Sequence, residues 1–336
     1  MKKVLRSSGI IASALLLTLA VGCGNKEAAP DTKAKEVAAT ATPAATPAAT
    51  PTATGAPAYK VDEEKAAALL AQFGGQTPNK VVTVSVSLTE ILNVLGVKPV
   101  GVPTSTVALP EALKDVTKIG SALKPDIEKV TSLQPDIVVG PASIKDSLNK
   151  QFGPANLKTA FLPADSLEEL KLSTVVLSRV YKKEKEANDF LAKLAEQEKS
   201  IEEQSKGKQA PKVMFLFGSA ESFMMMNENT FAGSVAKKLG AKNVVSEVLK
   251  SKETYVALNM ENVVAANPDV ILLVAHGDPN TAIKKFEEDV KKNGAWDKLN
   301  AFKNGKVKAL DYNLYGVASV AKAGDAYKQM FNFLYQ

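Results

Sequence analysis

Two stretches of the chain repeat one pattern, and this pattern decides the fold. The first is Glu128-Lys-Val-Thr-Ser-Leu-Gln-Pro-Asp-Ile-Val-Val139, and the second is Glu261-Asn-Val-Val-Ala-Ala-Asn-Pro-Asp-Val-Ile-Leu272. They align without a gap at an offset of 133 residues. Each predicts a helix that begins near the glutamate, a turn at Pro-Asp and a buried strand. Repetition of one such unit predicts two lobes of similar design.

The residues around the repeat alternate between buried strands and amphipathic helices. Strands are predicted at 81–86, 137–139, 159–162 and 212–217, and helices at 88–95 and 145–152. A second repeat relates Leu95-Gly-Val-Lys-Pro-Val100 to Leu239-Gly-Ala-Lys-Asn-Val244. Strands that alternate with helices predict an α/β fold with largely parallel sheets.

A long helical pattern separates the two lobes. From Ser166, apolar residues recur mostly at three- and four-residue steps for roughly 40 residues, and Gly207 and Pro211 end the pattern. We therefore predict an N-terminal lobe at 59–165, one long interlobe helix at 166–208 and a C-terminal lobe at 209–336.

The N-terminus has the features of a bacterial lipoprotein precursor. Residues 1–22 carry a basic start and an apolar run too short to span a bilayer comfortably, followed by Cys23, the one cysteine in the chain. Within 23–58, residues 37–58 hold ten Ala, six Thr and four Pro, a composition typical of a disordered tether. We expect a signal peptide at 1–22 and lipidation of Cys23. An ordinary cleaved signal is the competing interpretation.

Charge and motif content disfavour two functional classes. The formal net charge is +6, and Lys2, Lys3 and Arg6 belong to the signal. No basic run is interleaved with aromatic residues, so no nucleic-acid partner is expected. The sequence also lacks the HExxH, G-x-S-x-G, P-loop and G-x-G-x-x-G motifs, which argues against an extracytoplasmic enzyme.

Two α/β lobes on a lipid anchor resemble the substrate-binding lipoproteins of ABC importers, in the class that carries haem, corrinoids and iron–siderophores. The likeness is greatest to the haem-binding lipoproteins of Gram-positive bacteria. It rests on Ser87-Leu-Thr-Glu-Ile91, Gly101-Val-Pro-Thr-Ser105, Lys124-Pro-Asp126 and Ala275-His-Gly-Asp-Pro279. The resemblance implies a class III fold and a monomer on the extracytoplasmic face of the membrane. It implies delivery of haem (iron protoporphyrin IX) to an ABC permease and its ATPase, with an iron–siderophore or corrinoid as the alternative cargo.

His276 is the candidate ligand of the haem iron. It is the one histidine in the chain and follows the predicted strand at 270–274, and ligands bind beyond the carboxyl ends of such strands. In the haem-binding relatives, the histidine of this motif is an axial iron ligand. The repeat offset makes Ser143 its counterpart in the first lobe. A surface histidine is the competing interpretation.

The resemblance fails at the second iron ligand. Relatives have a methionine just before the Pro-Asp of this motif, where this chain has Leu123, and leucine cannot bind iron. The haem is then five-coordinate, water-ligated or bound by another side chain, or the cargo is not haem. Met225 is the candidate substitute and Met224 a candidate lining residue, against core packing as the alternative.

Further cleft candidates supply hydroxyl groups, free N–H groups and aromatic rings. They are Ser87, Leu88, Thr89, Thr104, Ser105, Tyr312 and Tyr315. The first three follow a buried strand at a predicted helix start, where hydroxyls and free N–H groups can bind acidic groups of a ligand. The tyrosines can pack on a macrocycle or ligate iron as phenolates. Helix capping and core packing are the competing interpretations.

Glu128 and Glu261 stand at equivalent places in the two repeats. The helix dipole alone favours an acidic residue at such a position. In the relatives, however, one acidic residue on each lobe contacts basic residues of the permease. The resemblance therefore implies that Glu128 and Glu261 dock the protein on its permease.

Overall fold

The architecture is that of a computed structural model, which describes residues 59–218, 222–275, 279–292, 294 and 298–336. The predicted signal peptide, Cys23 and the tether lie outside the described residues, as does His276. In the described part of the chain, no helix is long and apolar enough to cross a bilayer.

The first half of the described chain builds a parallel sheet flanked by helices. Its elements are α1 (Glu63–Ala71), β1 (Val81–Thr83), α2 (Val86–Val94), β2 (Gly101–Val102), β3 (Thr117–Lys118), α3 (Ile127–Ser132), β4 (Ile137–Pro141), α4 (Lys145–Phe152) and β5 (Thr159–Leu162). The strand order is β3-β2-β1-β4-β5, and each neighbouring pair is parallel. Strand β1 is shorter than predicted because Ser85 accepts a hydrogen bond from Leu88 N at 3.3 Å and starts α2.

The interlobe segment is helical as predicted, but it consists of two successive helices. They are α5 (Leu167–Tyr181) and α6 (Glu184–Ser205). Helix α5 ends because Lys182 adopts the left-handed conformation (φ 56°), and Lys183 N donates to Ser178 O at 2.7 Å. The predicted single helix is corrected at this point.

The second half builds a mixed sheet. Its elements are β6 (Lys212–Gly218), β7 (Phe223–Met226), α7 (Phe231–Lys238), β8 (Lys242–Asn243), β9 (Tyr255–Ala257), α8 (Met260–Ala266), β10 (Val270–Ala275), α9 (Pro279–Lys292), α10 (Asn300–Lys303), β11 (Val307–Ala309), α11 (Tyr312–Tyr315) and α12 (Ala323–Tyr335). The strand order is β11-β10-β6-β7-β9, with β8 beside β6. Strand β7 is antiparallel to both neighbours, and the other pairs are parallel.

The repeated Pro-Asp turn fixes the same strand register in both halves. Asp136 accepts a hydrogen bond from Lys80 N and donates its own N–H to Lys80 O, both at 2.8 Å. Asp269 makes the same two bonds to Lys212, also at 2.8 Å. Each aspartate thus aligns the strand that follows it with the neighbouring central strand. The predicted helix–turn–strand unit is confirmed in both lobes.

One apolar core runs through both lobes. Ile137 of β4 and Leu272 of β10 belong to the same buried cluster, which also includes residues of α2, α5, α7 and α12. Val138, which follows Ile137 on β4, belongs to an outer cluster of the first lobe. Ile271, which precedes Leu272 on β10, belongs to an outer cluster of the second lobe. Because parting the lobes would expose this shared core, the fold favours a fixed lobe arrangement. The domain boundaries at 165 and 209 stay predictions, since the described residues cluster as one unit.

Candidate ligand cleft

A cavity lies where the carboxyl ends of strands from both sheets meet the first turns of α2 and α7 and the residues just before α5. Pro141 of β4, Phe217 of β6 and Val274 of β10 all line it. Its volume is about 220 Å³, below the roughly 300–1,000 Å³ of pockets that enclose a drug-sized ligand. A large, flat ligand would therefore extend beyond the described lining.

The first-lobe wall of the cavity is mostly polar. Its described residues are Ser85, Ser87, Pro141, Ser143, Ala164 and Asp165. Ser143 Oγ donates a hydrogen bond to Asp165 Oδ1 at 3.0 Å. Ser85 is the N-cap of α2, and Ser87 lies in its first turn. Hydroxyl groups and helix-start N–H groups therefore border this side of the cavity.

The second-lobe wall is aromatic and apolar. Phe217 and Tyr255 have ring centroids 5.7 Å apart, and Phe231 and Tyr315 have centroids 5.9 Å apart. Met226 also lies in this wall. The Tyr315 hydroxyl donates to the carbonyl of Ala326 in α12, and burial raises the pKa of Tyr315. Tyr315 thus presents its ring to the cavity and is unsuited to act as a phenolate ligand.

A buried carboxylate joins the two lobes close to the cavity. Glu90 of α2 is 2% exposed, and its Oε1 lies 3.6 Å from Lys322 Nζ. Burial raises the pKa of Glu90, against the lowering effects of the hydrogen bond to Ser319 and of Lys322. Ser319 directly follows Ala318, which lines the cavity. The contact therefore ties α2 to the segment before α12.

Comparison with known proteins identifies the family. Residues 81–314 match the sequence profile of the periplasmic binding proteins. The chain belongs to this family. It is 31% identical to the High-affinity heme uptake system protein IsdE of Staphylococcus aureus (strain Newman). The alignment spans 258 residues and covers 76% of this chain and 87% of that protein.

Two solved structures of relatives match the fold of this family member. A crystal structure of S. aureus IsdE complexed with heme gives a TM-score of 0.70 at 31% identity, covering 76% of this chain and 99% of that one. An ABC transporter substrate-binding protein from Listeria monocytogenes EGD-e gives 0.70 at 32% identity, covering 77% and 99%. The predicted class of protein and its two-lobed α/β fold are confirmed: this is the substrate-binding component of an ABC importer.

The predicted cleft residues divide into those in the cavity wall and those beneath it. Ser87, Ser143 and Tyr315 line the cavity. Leu88 and Thr89 do not, which corrects the prediction. Leu88 is 0% exposed and belongs to the shared core, and Thr89 Oγ1 lies 2.6 Å from Thr83 Oγ1. Both side chains are buried in the packing around α2 and lie outside the described cavity lining.

The methionine that lines the cavity is Met226, one residue after the predicted iron ligand Met225. Met225 is 0% exposed and packs in the outer cluster with Leu216 and Val263, so it has no access to a ligand in the cavity. Met224 is 42% exposed and lies outside the described lining, whereas Met226 is 4% exposed and lines the cavity. Side chains alternate along β7, and the phase of this alternation was not predictable from the sequence.

Four other candidates lie outside the described cavity lining. They are Thr104, Ser105, Leu123 and Tyr312. Ser105 Oγ accepts from Val107 N at 3.0 Å, a local turn contact, and Tyr312 packs against the shared core. Leu123 is 67% exposed, on a turn closed by a bridge between Gly120 and Pro125.

Several lining residues were missed by the sequence interpretation. Among them are Ser85, Asp165, Phe217, Phe231 and Tyr255. Two had readable signals, since Phe217 ends a predicted strand and Asp165 precedes the capping box formed by Ser166 and Glu169. Tyr255 had none, because its three-residue strand is fixed by pairing with β7.

Glu128 and Glu261 occupy equivalent structural positions. They are exposed in the first turns of α3 and α8, whose N-caps are Asp126 and Asn259. Each helix leads back to the start of a parallel strand, so its first turn lies toward the carboxyl edge of the sheet. Both carboxylates are therefore on the edge of their lobe that also carries the cavity.

Proposed function

We propose that this protein captures haem in the interlobe cavity, outside the cell, and delivers it to an ABC permease. The observation that carries the proposal is the pairing of an aromatic wall, built from Phe217, Phe231 and Tyr255, with a hydroxyl-bearing wall. The first suits the apolar faces of a porphyrin and the second its polar edge. The identity with a heme uptake protein supports this cargo.

His276 is the proposed axial iron ligand. It follows Ala275, the last residue of β10, by one position, and the preceding Val274 lines the cavity. Neutral imidazole is a common protein ligand of haem iron. Because Leu123 cannot supply a sixth ligand, we expect five-coordinate or water-ligated, high-spin iron.

Titration of the full chain in detergent with haemin, followed by absorption, tests the cargo. The wild type should bind haemin tightly without turnover. His276→Ala should shift the Soret band and weaken binding, while apolar contacts retain part of the affinity. Leu123→Met should move the spectrum toward the six-coordinate, low-spin form. An unchanged titration in His276→Ala would reject iron ligation and favour a siderophore or corrinoid as cargo.

The anchoring and docking parts of the proposal rest on other residues. Lipidated Cys23 would hold the protein on the extracytoplasmic face of the membrane, since two acyl chains give stable attachment. Mass spectrometry of membrane-bound protein should show Cys23 as the modified N-terminal residue. An unmodified protein that begins at Met1 would reject the anchor. Glu128 and Glu261 would contact basic residues of the permease, one from each lobe.

A further inference from the structure

Asp165 brings a fixed negative charge to the cavity. It is the last residue before the N-cap of α5, and its N–H donates to Glu169 Oε2 at 2.8 Å. Its own Oδ1 accepts the hydrogen bond from Ser143 at 3.0 Å. Backbone and side chain are thus both held, with the exposed carboxylate at the wall of the cavity. The Ser143 hydroxyl donates its proton in this hydrogen bond, so it can only accept hydrogen bonds from a ligand.

The described residues of the opposite wall carry no positive charge that would neutralise this carboxylate. Among the sixteen described residues that line the cavity, Asp165 is the one with a formal charge. Tyr255 lies on the second-lobe wall, and burial and the charge of Asp165 both raise the pKa of its phenol.

We infer that Asp165 makes this cleft selective against polyanionic ferric chelates. This inference rests on the proposed function and specifies which iron complexes it excludes. A triscatecholate or polycarboxylate chelate spreads negative charge over its whole surface, so it would meet the Asp165 carboxylate in any orientation. Haem carries its two carboxylates on one edge and can direct that edge away from Asp165, toward the hydroxyl groups of Ser85 and Ser87 on the same wall or toward the open side of the cavity.

Two ferric chelates of different charge test the inference on the full chain in detergent. The probes are ferri-bacillibactin, a triscatecholate, and a neutral ferric trihydroxamate, with binding measured by equilibrium dialysis. Asp165→Asn should raise the affinity for ferri-bacillibactin at low salt by about tenfold, since one charge pair about 10 Å apart at an effective dielectric constant of about 20 accounts for this factor. The gain should shrink as salt rises, and the neutral chelate should show none.

Two further variants separate the charge from its side effects. Asp165→Glu keeps the charge and should give no gain. Asp115→Asn makes the same charge change at an exposed site outside the described lining and should also give none. A gain below about twofold in Asp165→Asn, or an equal gain in Asp115→Asn, overturns the inference. The haemin titration of the wild type tests the proposed function separately, because it uses none of these variants.

Discussion

Lys171 Nζ lies 2.7 Å from Glu198 Oε2, so a buried ion pair joins the two interlobe helices. The side chains are 7% and 9% exposed. Glu168 Oε1 lies 3.3 Å from the same ammonium, and the Tyr59 ring 6.0 Å. Glu198 Oε1 and the Tyr327 hydroxyl have no hydrogen-bond partner among the described residues. Burial raises the pKa of Glu198, and Lys171 opposes this effect. The carboxylate therefore depends on Lys171 for its charge.

Lys171→Met should lower the free energy of unfolding by about 3 kcal/mol, because it leaves a carboxylate buried without its cation. Urea unfolding measures the change. The double variant Lys171→Met/Glu198→Leu should recover most of the loss, since neither charge remains. Lys185→Met removes an exposed ammonium that pairs with Asp189 and should leave stability nearly unchanged. Equal losses in the single and double variants would contradict this explanation.

Glu90→Gln should stabilise the protein at neutral pH and not near pH 4. Burial raises the pKa of Glu90, so the folded state binds this proton more readily than the unfolded chain. The stability it contributes is complete below the unfolded pKa of about 4.3 and is lost as pH rises through the folded pKa. Glutamine stays neutral and can still bond to Ser319. We expect a gain of about 1 kcal/mol at pH 7.

Urea unfolding at pH 4 and pH 7 measures this difference. Glu253→Gln, which changes the same residue type at an exposed position, is the control and should show no such pH-dependent gain. If Glu90→Gln gave the same gain at both pH values, the effect would come from packing and not from the buried charge.

Local signals predicted the elements whose contacts are local or repeated. The repeat predicted α3–β4 and α8–β10, including their turns, where Gln134 (φ 49°) and Asn267 (φ 44°) are both left-handed. The break at Lys182 was missed because the apolar periodicity continues through it and no glycine marks it. The strand at 223–226 was missed because pairing with β6 and β9 creates it. Tertiary contacts override weak local preference.

The same distinction separates the parts of the site. Ser143 was predictable because the repeat offset gives its position relative to His276, and Ser87 because it follows a buried strand. That Met226 and not Met225 faces the cavity was not predictable. The sequence does not say which alternate side chains of a strand face which side until the strand is paired. The polar wall of the cleft was thus predictable in part from the sequence. Most of the aromatic wall was not, because it depends on how the second sheet assembles.

Gly233→Ala should destabilise α7 and disturb the cavity wall. A Cβ at Gly233 would lie 2.2 Å from Asn227 O and 2.8 Å from Glu228 Cα, both backbone atoms. We expect a loss of about 2 kcal/mol in urea unfolding, with weaker haemin binding because Phe231 lies in the same turn. Gly153→Ala is the control, since its Cβ would meet nothing within 4 Å. Normal stability in Gly233→Ala would show that the turn at Asn227 adapts.

Glu128→Lys/Glu261→Lys should abolish uptake while leaving haemin affinity nearly unchanged. Both carboxylates are exposed in first turns outside the described cavity lining, and opposing like charges at an interface cost several kcal/mol, so transport should fall by at least about tenfold. Haemin transport by the permease in liposomes and haemin titration of the variant separate the two effects. Glu203→Lys, at an exposed position on α6, is the control and should transport normally. Weakened haemin affinity with intact permease binding would show that these carboxylates act at the ligand site and not at a permease-docking surface.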